Sequence, residues 1–133
     1  MLGRVLLMDD EEMIRDITGE MLGSIGYNVS FAADGEEAMS LFIKARGENR
    51  PFDVVLLDLT IPGNVGGAEV LKRLREVEPG VKAVVLSGYS NDPILASSGE
   101  HGFKGVLTKP YTLQELSDTL AIVLSAGSTP GDR

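Results

Sequence analysis

Four apolar runs of strand length end in residues suited to chemistry. Val5-Leu6-Leu7-Met8 leads into Asp9-Asp10, Val54-Val55-Leu56-Leu57 into Asp58, Ala83-Val84-Val85-Leu86 into Ser87, and Gly105-Val106-Leu107-Thr108 into Lys109. These strands deliver three acids, a hydroxyl and an ammonium to their C-terminal ends. An ionised carboxylate at the mouth of a buried strand is costly unless a cation or donors meet it. Carboxylates from two strand ends, with neither histidine nor cysteine in the pattern, suit a hard cation such as Mg2+. Magnesium keeps several waters and takes one or two carboxylates together with phosphate oxygens. One acid can then play a second role, as a nucleophile toward a phosphoryl group. Phosphoryl transfer needs positioning and charge neutralisation, and the metal, Lys109 and the Ser87 hydroxyl can each bind a phosphoryl oxygen.

The elements that must position these groups alternate along the chain. After the first strand, Met13, Ile14, Ile17, Met21 and Ile25 fall at helical spacing, and Gly26 offers a left-handed C-cap. Val29-Ser30-Phe31-Ala32 reads as a second strand. Asp34 and Glu37 resemble a capping box for a helix carrying Ala38, Leu41, Phe42 and Ala45. Beyond Asp58 comes a loop through Gly67, then a helix with Val70, Leu71, Leu74 and Val77 that stops near Pro79-Gly80. Asp92 and Pro93 suit the start of a short, weakly helical segment, Ile94 to Gly99. Thr112 and Glu115 form another capping box, for a helix with Leu113, Leu116, Leu120 and Val123.

Five strands alternating with five helices predict an α/β fold, a doubly wound parallel sheet covered on both faces. Strand order 2-1-3-4-5, the flavodoxin-like arrangement, places strands 1 and 3 at the switch point where ligands bind. That order gathers Asp9, Asp10 and Asp58, with Ser87 and Lys109 arriving from strands 4 and 5. Strand 2 ends blandly at Ala32-Ala33, and the order sets it away from the site.

Composition narrows the function classes. The 133 residues suit one domain, expected over 1–125 with a flexible polar tail or linker stub over 126–133. No apolar run approaches membrane-spanning length and no signal peptide is visible, so a cytoplasmic chain without membrane contact is expected. Cysteine is absent, which excludes thiol catalysis, disulfides and zinc-thiolate sites. A net charge of −8 argues against direct nucleic-acid binding. It suits a divalent cation or a partner with a basic surface.

With Asp9-Asp10, Asp58, Ser87 and Lys109-Pro110 in this order, the chain resembles the receiver domain of two-component response regulators over about residues 3–125. The resemblance implies that Asp58 accepts a phosphoryl group from a phosphohistidine of a sensor histidine kinase or histidine phosphotransfer domain. It implies that Asp10, Asp58 and the main-chain carbonyl of Thr60 ligate Mg2+, with Asp9 acting mainly through water. Lys109 would pair with the phosphoryl group, Ser87 would move to hydrogen-bond it, and the Lys109-Pro110 bond would be cis. The segments Leu59-Thr60-Ile61-Pro62-Gly63 and Gly105 to Tyr111 look most like receivers of hybrid sensor kinases. Such a domain is a signalling module that catalyses its own phosphorylation and dephosphorylation, as a monomer or weak homodimer. Two positions depart from the family. Val106 stands where many receivers carry an inward-turning aromatic ring, and the loop after Asp58 is one residue longer, with Val65 displaced. Thr60 and Tyr89 would flank the path of the hydrolytic water. The bulk of Tyr89 is expected to slow autodephosphorylation, which the decay of phosphorylated Tyr89→Ala against wild type would test.

Plainer roles compete. Glu11 and Glu12 suit the N-terminal turn of a helix, where the macrodipole favours acids. Lys109 serves equally as a salt-bridge partner of Asp58, Ser87 as a turn residue, and His101 as a solvent-facing residue at a helix end. An Mg2+-dependent phosphohydrolase of the haloacid dehalogenase type also uses a strand-end aspartate, but it wants a second acid where Thr60 stands and room for a cap domain. A degenerate receiver acting only as a binding module would not need the full set of acids, hydroxyl and lysine.

Overall fold

A computed structural model describes residues 2–59, 66–88 and 98–126. The apolar runs form strands β1 (Gly3–Met8), β2 (Tyr27–Ala32), β3 (Val54–Asp58), β4 (Ala83–Ser87) and β5 (Gly105–Thr108). They build one parallel sheet in the order β2-β1-β3-β4-β5. The helices among the described residues are α1 (Glu12–Ile25), α2 (Gly35–Gly47), α3 (Gly67–Val77), α4 (Ser98–His101) and α5 (Leu113–Ala126).

Strand side chains alternate between faces. Leu6, Met8, Val55 and Leu57 therefore join one core with Phe42 of α2 and Leu71 and Leu74 of α3. Val5, Leu7, Val54 and Leu56 join the other with Leu22 of α1 and Leu116 and Leu120 of α5. The central strands β3 and β4 are buried at every position, as a parallel sheet covered on both faces requires. The edge strands are not: Phe31 of β2 is 40% exposed and Val106 of β5 is 37% exposed.

Local signals behave as the sequence indicates. Gly26 adopts φ 117° and caps α1, its N–H reaching the Leu22 and Gly23 carbonyls. Thr112 and Glu115 form a reciprocal box: the Glu115 N–H donates to Thr112 Oγ1 at 3.0 Å, and the Thr112 N–H to Glu115 Oε1 at 2.8 Å. At α2 the Asp34 side chain accepts from the Glu37 N–H, while the Glu37 carboxylate reaches the Ala33 N–H, one residue outside a regular box.

The buried face of α1 differs from the apolar spacing. Its buried residues are Thr18 and Leu22, whereas Met13 is 72% and Ile17 48% exposed. At about 100° per residue, Ile17 and Met13 lie roughly 100° and 140° around the helix from Thr18. Leu22 joins the core with Met21 and Ile25 packed against it, and Thr18 is buried on the same helix, so a hydroxyl takes a buried position that hydrophobicity alone would not assign. The expected Asp92-Pro93 helix start, Val65, Thr60, Tyr89 and the tail from Gly127 lie outside the described residues. Among the described residues no helix is long and apolar enough to cross a membrane.

Candidate functional site

The sheet register brings the strand ends together. Met8 pairs with Leu57, Asp58 with Leu86, and Ser87 with Thr108. Backbone bonds continue past the strands: Asp9 N–H to the Ala32 carbonyl, Leu59 N–H to Leu86, and Lys109 N–H to Ser87. Asp9, Asp58, Ser87 and Lys109 thus occupy one end of four strands, and Asp10 follows Asp9. The Lys109-Pro110 peptide is cis.

Asp9, Asp58 and Ser87 are buried, at 0, 5 and 2% exposure, while Asp10 faces solvent. One carboxylate oxygen from each of Asp9, Asp10 and Asp58 lies within 4.8 Å of the others. Lys109 Nζ stands 2.7 Å from Asp9 Oδ2 and 3.6 Å from Asp58 Oδ1. The lysine is therefore shared between the two acids and holds Asp9 more closely, where the sequence pointed to Asp58. The second Asp9 oxygen accepts the Glu11 N–H at 3.0 Å. The Asp9 main-chain carbonyl accepts from Arg15 Nη1 at 2.8 Å. A fully buried carboxylate needs such partners, because an unpaired one would bear its full desolvation cost.

Burial pulls the Lys109 pKa down, but the hydrogen bond to Asp9 and the charges of Asp58 and Asp9 outweigh it, so the net shift is upward. Lys109 is an ammonium at neutral pH. Three carboxylates face one ammonium, and the Arg15 guanidinium at the Asp9 carbonyl offsets only part of the remaining negative charge. That excess, the oxygen-only donor set and the open side at Asp10 fit a divalent hard cation.

Two contributors escaped the sequence. Gly67, read as a loop glycine, starts α3 against the end of β3. A Cβ there would lie 2.7 Å from the Asp58 carbonyl oxygen, so only glycine lets the helix approach this closely. The cluster of glycines after Asp58 held that signal without saying which one mattered. Thr18 meets Tyr111, hydroxyl to hydroxyl, at 2.7 Å across 93 residues of chain. No local spacing rule reports such a pair. His101 is exposed at the end of α4.

Comparison with known proteins shows the family to which this fold and sequence belong. A family model described as the response regulator receiver domain matches residues 5–121. Sporulation initiation phosphotransferase F of Bacillus subtilis is 30% identical over 117 residues, covering 88% of this chain and 90% of that protein. Sensor kinase CckA of Brucella abortus is 33% identical over 120 residues, which are 90% of this chain but 12% of that protein. The crystal structure of the response regulator TrrA of Thermotoga maritima, in complex with Mg2+-BeF, superposes with a TM-score of 0.79 at 28% identity, covering 92% of this chain and 99% of that one. The chain belongs to the response regulator receiver domain family. It is a phosphoryl-accepting receiver of two-component signalling, on the five-stranded 2-1-3-4-5 receiver fold.

Proposed function

We propose that Asp58 is the phosphoryl acceptor. The observation that carries this reading is the meeting of Asp58 with Asp9, Asp10 and Lys109 at the strand ends, within 4.8 Å among the acids and 3.6 Å from Asp58 to the ammonium. An Asp58 carboxylate oxygen attacks the phosphorus of a phosphohistidine. The new O–P bond forms as the N–P bond breaks, and the imidazole leaves and takes its proton from solvent. Lys109 supplies a positive charge that the phosphoryl oxygens can draw from Asp9. Ser87, buried at the end of β4, offers a hydroxyl donor to the same oxygens. Asp9, Asp10, Asp58 and the Thr60 carbonyl are the set that would hold Mg2+. When bound, the ion neutralises charge on the transferring group. That TrrA was crystallised with Mg2+-BeF supports a role for Mg2+ at this site.

The donor is a sensor histidine kinase or a histidine phosphotransfer domain, a reading that the match to a segment of a sensor kinase supports. The unit spans 1–125, its last helix running one residue further to Ala126. It works in the cytoplasm as a signalling domain that catalyses its own phosphorylation and dephosphorylation, as a monomer or weak homodimer. The test is incubation with Mg2+ and acetyl phosphate followed by intact mass spectrometry. A labile single-phosphoryl adduct should form in wild type and be absent with EDTA and in Asp58→Asn. Steady turnover of phosphate esters would favour a hydrolase, and no adduct at all a binding module.

A further inference from the structure

Lys109 is held by two kinds of contact, and only one is ionic. Its ammonium meets Asp9 at 2.7 Å and Asp58 at 3.6 Å. Two residues later the Tyr111 hydroxyl meets the Thr18 hydroxyl at 2.7 Å, and Thr18 is 1% exposed within α1. The start of α1 is itself tied to Asp9, through the Glu11 N–H at 3.0 Å and Arg15 Nη1 at 2.8 Å. These contacts close a ring. It runs from Lys109 to Asp9, into α1, along the helix to Thr18, across to Tyr111, and back to Lys109.

We propose that Tyr111 and Thr18 are positioning residues for Lys109 in phosphoryl acceptance. The inference rests on the reading of Asp58 as acceptor. The two links of the ring respond differently when Asp58 gains a phosphoryl group. That group brings up to about two negative charges, which draw the ammonium away from Asp9. The ionic link therefore weakens when it is most needed to keep the chain in place. The hydroxyl pair is neutral and keeps its geometry through the change. Lysine is a point charge on a flexible four-carbon stem, so its reach is governed by where its backbone is anchored. On one side that anchor is the Lys109 N–H bond to the Ser87 carbonyl at 2.7 Å. On the other, the segment between β5 and α5 meets α1 through the Tyr111 hydroxyl. Thr18 is 1% exposed and Tyr111 half-buried, so loss of the Tyr111 hydroxyl takes from a buried Thr18 hydroxyl its side-chain partner.

The test uses the full chain, Mg2+ and acetyl phosphate, with the rate of adduct formation followed to donor saturation. Tyr111→Phe and Thr18→Val should each lower the maximal rate about fivefold, the scale of one buried hydrogen bond, while the half-saturating donor concentration stays unchanged. The double variant should be no slower than either single, since both remove one interaction. Thr18→Ser, which keeps the hydroxyl, should restore the wild-type rate. A purely structural bond would alter melting temperature and leave the rate of the folded protein untouched. The proposal is overturned if folded Tyr111→Phe is phosphorylated at the wild-type rate, or if the double variant loses the product of the two single losses. If Thr18→Val does not fold, Tyr111→Phe and Thr18→Ser decide alone. Wild type that takes no phosphoryl group overturns the acceptor reading, and this proposal with it. Wild type that does, beside an unimpaired Tyr111→Phe, overturns this proposal only.

Discussion

Replacing Asp58 with asparagine should stabilise the metal-free protein. The charges around Asp58 give the sign. At an effective dielectric of about 20, the Lys109 ammonium 3.6 Å away attracts the carboxylate by about 4.6 kcal/mol. Asp9, at no more than 4.8 Å, repels it by about 3.5 kcal/mol or more on the same scale. Asp10 is exposed and screened, so at a water-like dielectric it adds about 1 kcal/mol of repulsion. Among these three charges, attraction and repulsion nearly cancel. The desolvation of a carboxylate on a 5% exposed residue then decides, and it costs several kcal/mol before hydrogen bonds offset part of it. Asparagine keeps the shape and the hydrogen-bonding capacity without the charge, and Lys109 keeps Asp9 as its partner. The expected gain in EDTA is about 1 kcal/mol, or about 3–5 °C in melting temperature for a chain of this size. In Mg2+ the order should close or reverse. An ion at a hundred times its Kd stabilises wild type by about 2.7 kcal/mol, and the variant has lost a charged ligand. Thermal unfolding of both proteins in EDTA and in Mg2+ reads all four values. A variant less stable than wild type in EDTA by 1 kcal/mol or more would refute the reasoning, because Asp58 would then be a structural member of the Lys109 pair.

Further outcomes follow from individual contacts. Gly67→Ala should cost about 1–3 kcal/mol in urea unfolding, since its Cβ would sit 2.7 Å from the Asp58 carbonyl oxygen and neither backbone can yield freely; an unchanged midpoint would contradict this. Gly23 is exposed in α1, and a methyl added there would meet nothing within 4 Å, so Gly23→Ala should stabilise by about 0.5–1 kcal/mol. Gly19→Ala in the same helix should gain less, because its Cβ would meet Phe31 Cζ at 2.6 Å and the ring must shift. Lys109 has a pKa raised above 10.5, so its contribution to stability is complete below that pH and is lost as pH rises through the raised value. Lys109→Met should therefore cost about 2 kcal/mol at neutral pH, somewhat less than a fully buried pair, with the gap to wild type closing only above about pH 10.5. A gap that closes near neutral pH would contradict the assignment.

The parts of the fold that were legible share one property: each is decided by a few neighbouring residues. The strands are short apolar runs with a polar terminator, and Gly26, Asp34 and Thr112 mark helix ends through bonds to residues within four positions. The strand order followed from those pieces, and with it the gathering of Asp9, Asp10, Asp58, Ser87 and Lys109. What was not legible depends on reach across the fold. Nothing in the spacing ranks Asp9 above Asp58 as the lysine's closer partner, because that ranking is set by how a long side chain lies over two strand ends. The burial of Thr18 in place of Met13 and Ile17 follows from the Tyr111 hydroxyl on the opposing segment, which satisfies a polar group that would otherwise avoid the core. The role of Gly67 comes from the distance between α3 and β3, which three nearby glycines in the sequence leave undetermined.

The central claim is that Asp58 carries the phosphoryl group. The most direct measurement is transfer from a phosphohistidine donor in Mg2+, followed by borohydride trapping of the acyl phosphate and peptide mapping by mass spectrometry. The trapped site should be Asp58, at about one group per chain when transfer is complete, and it should vanish with EDTA or in Asp58→Asn. Trapping at Asp9 or Asp10, or a stable label on His101 in its place, would contradict the account.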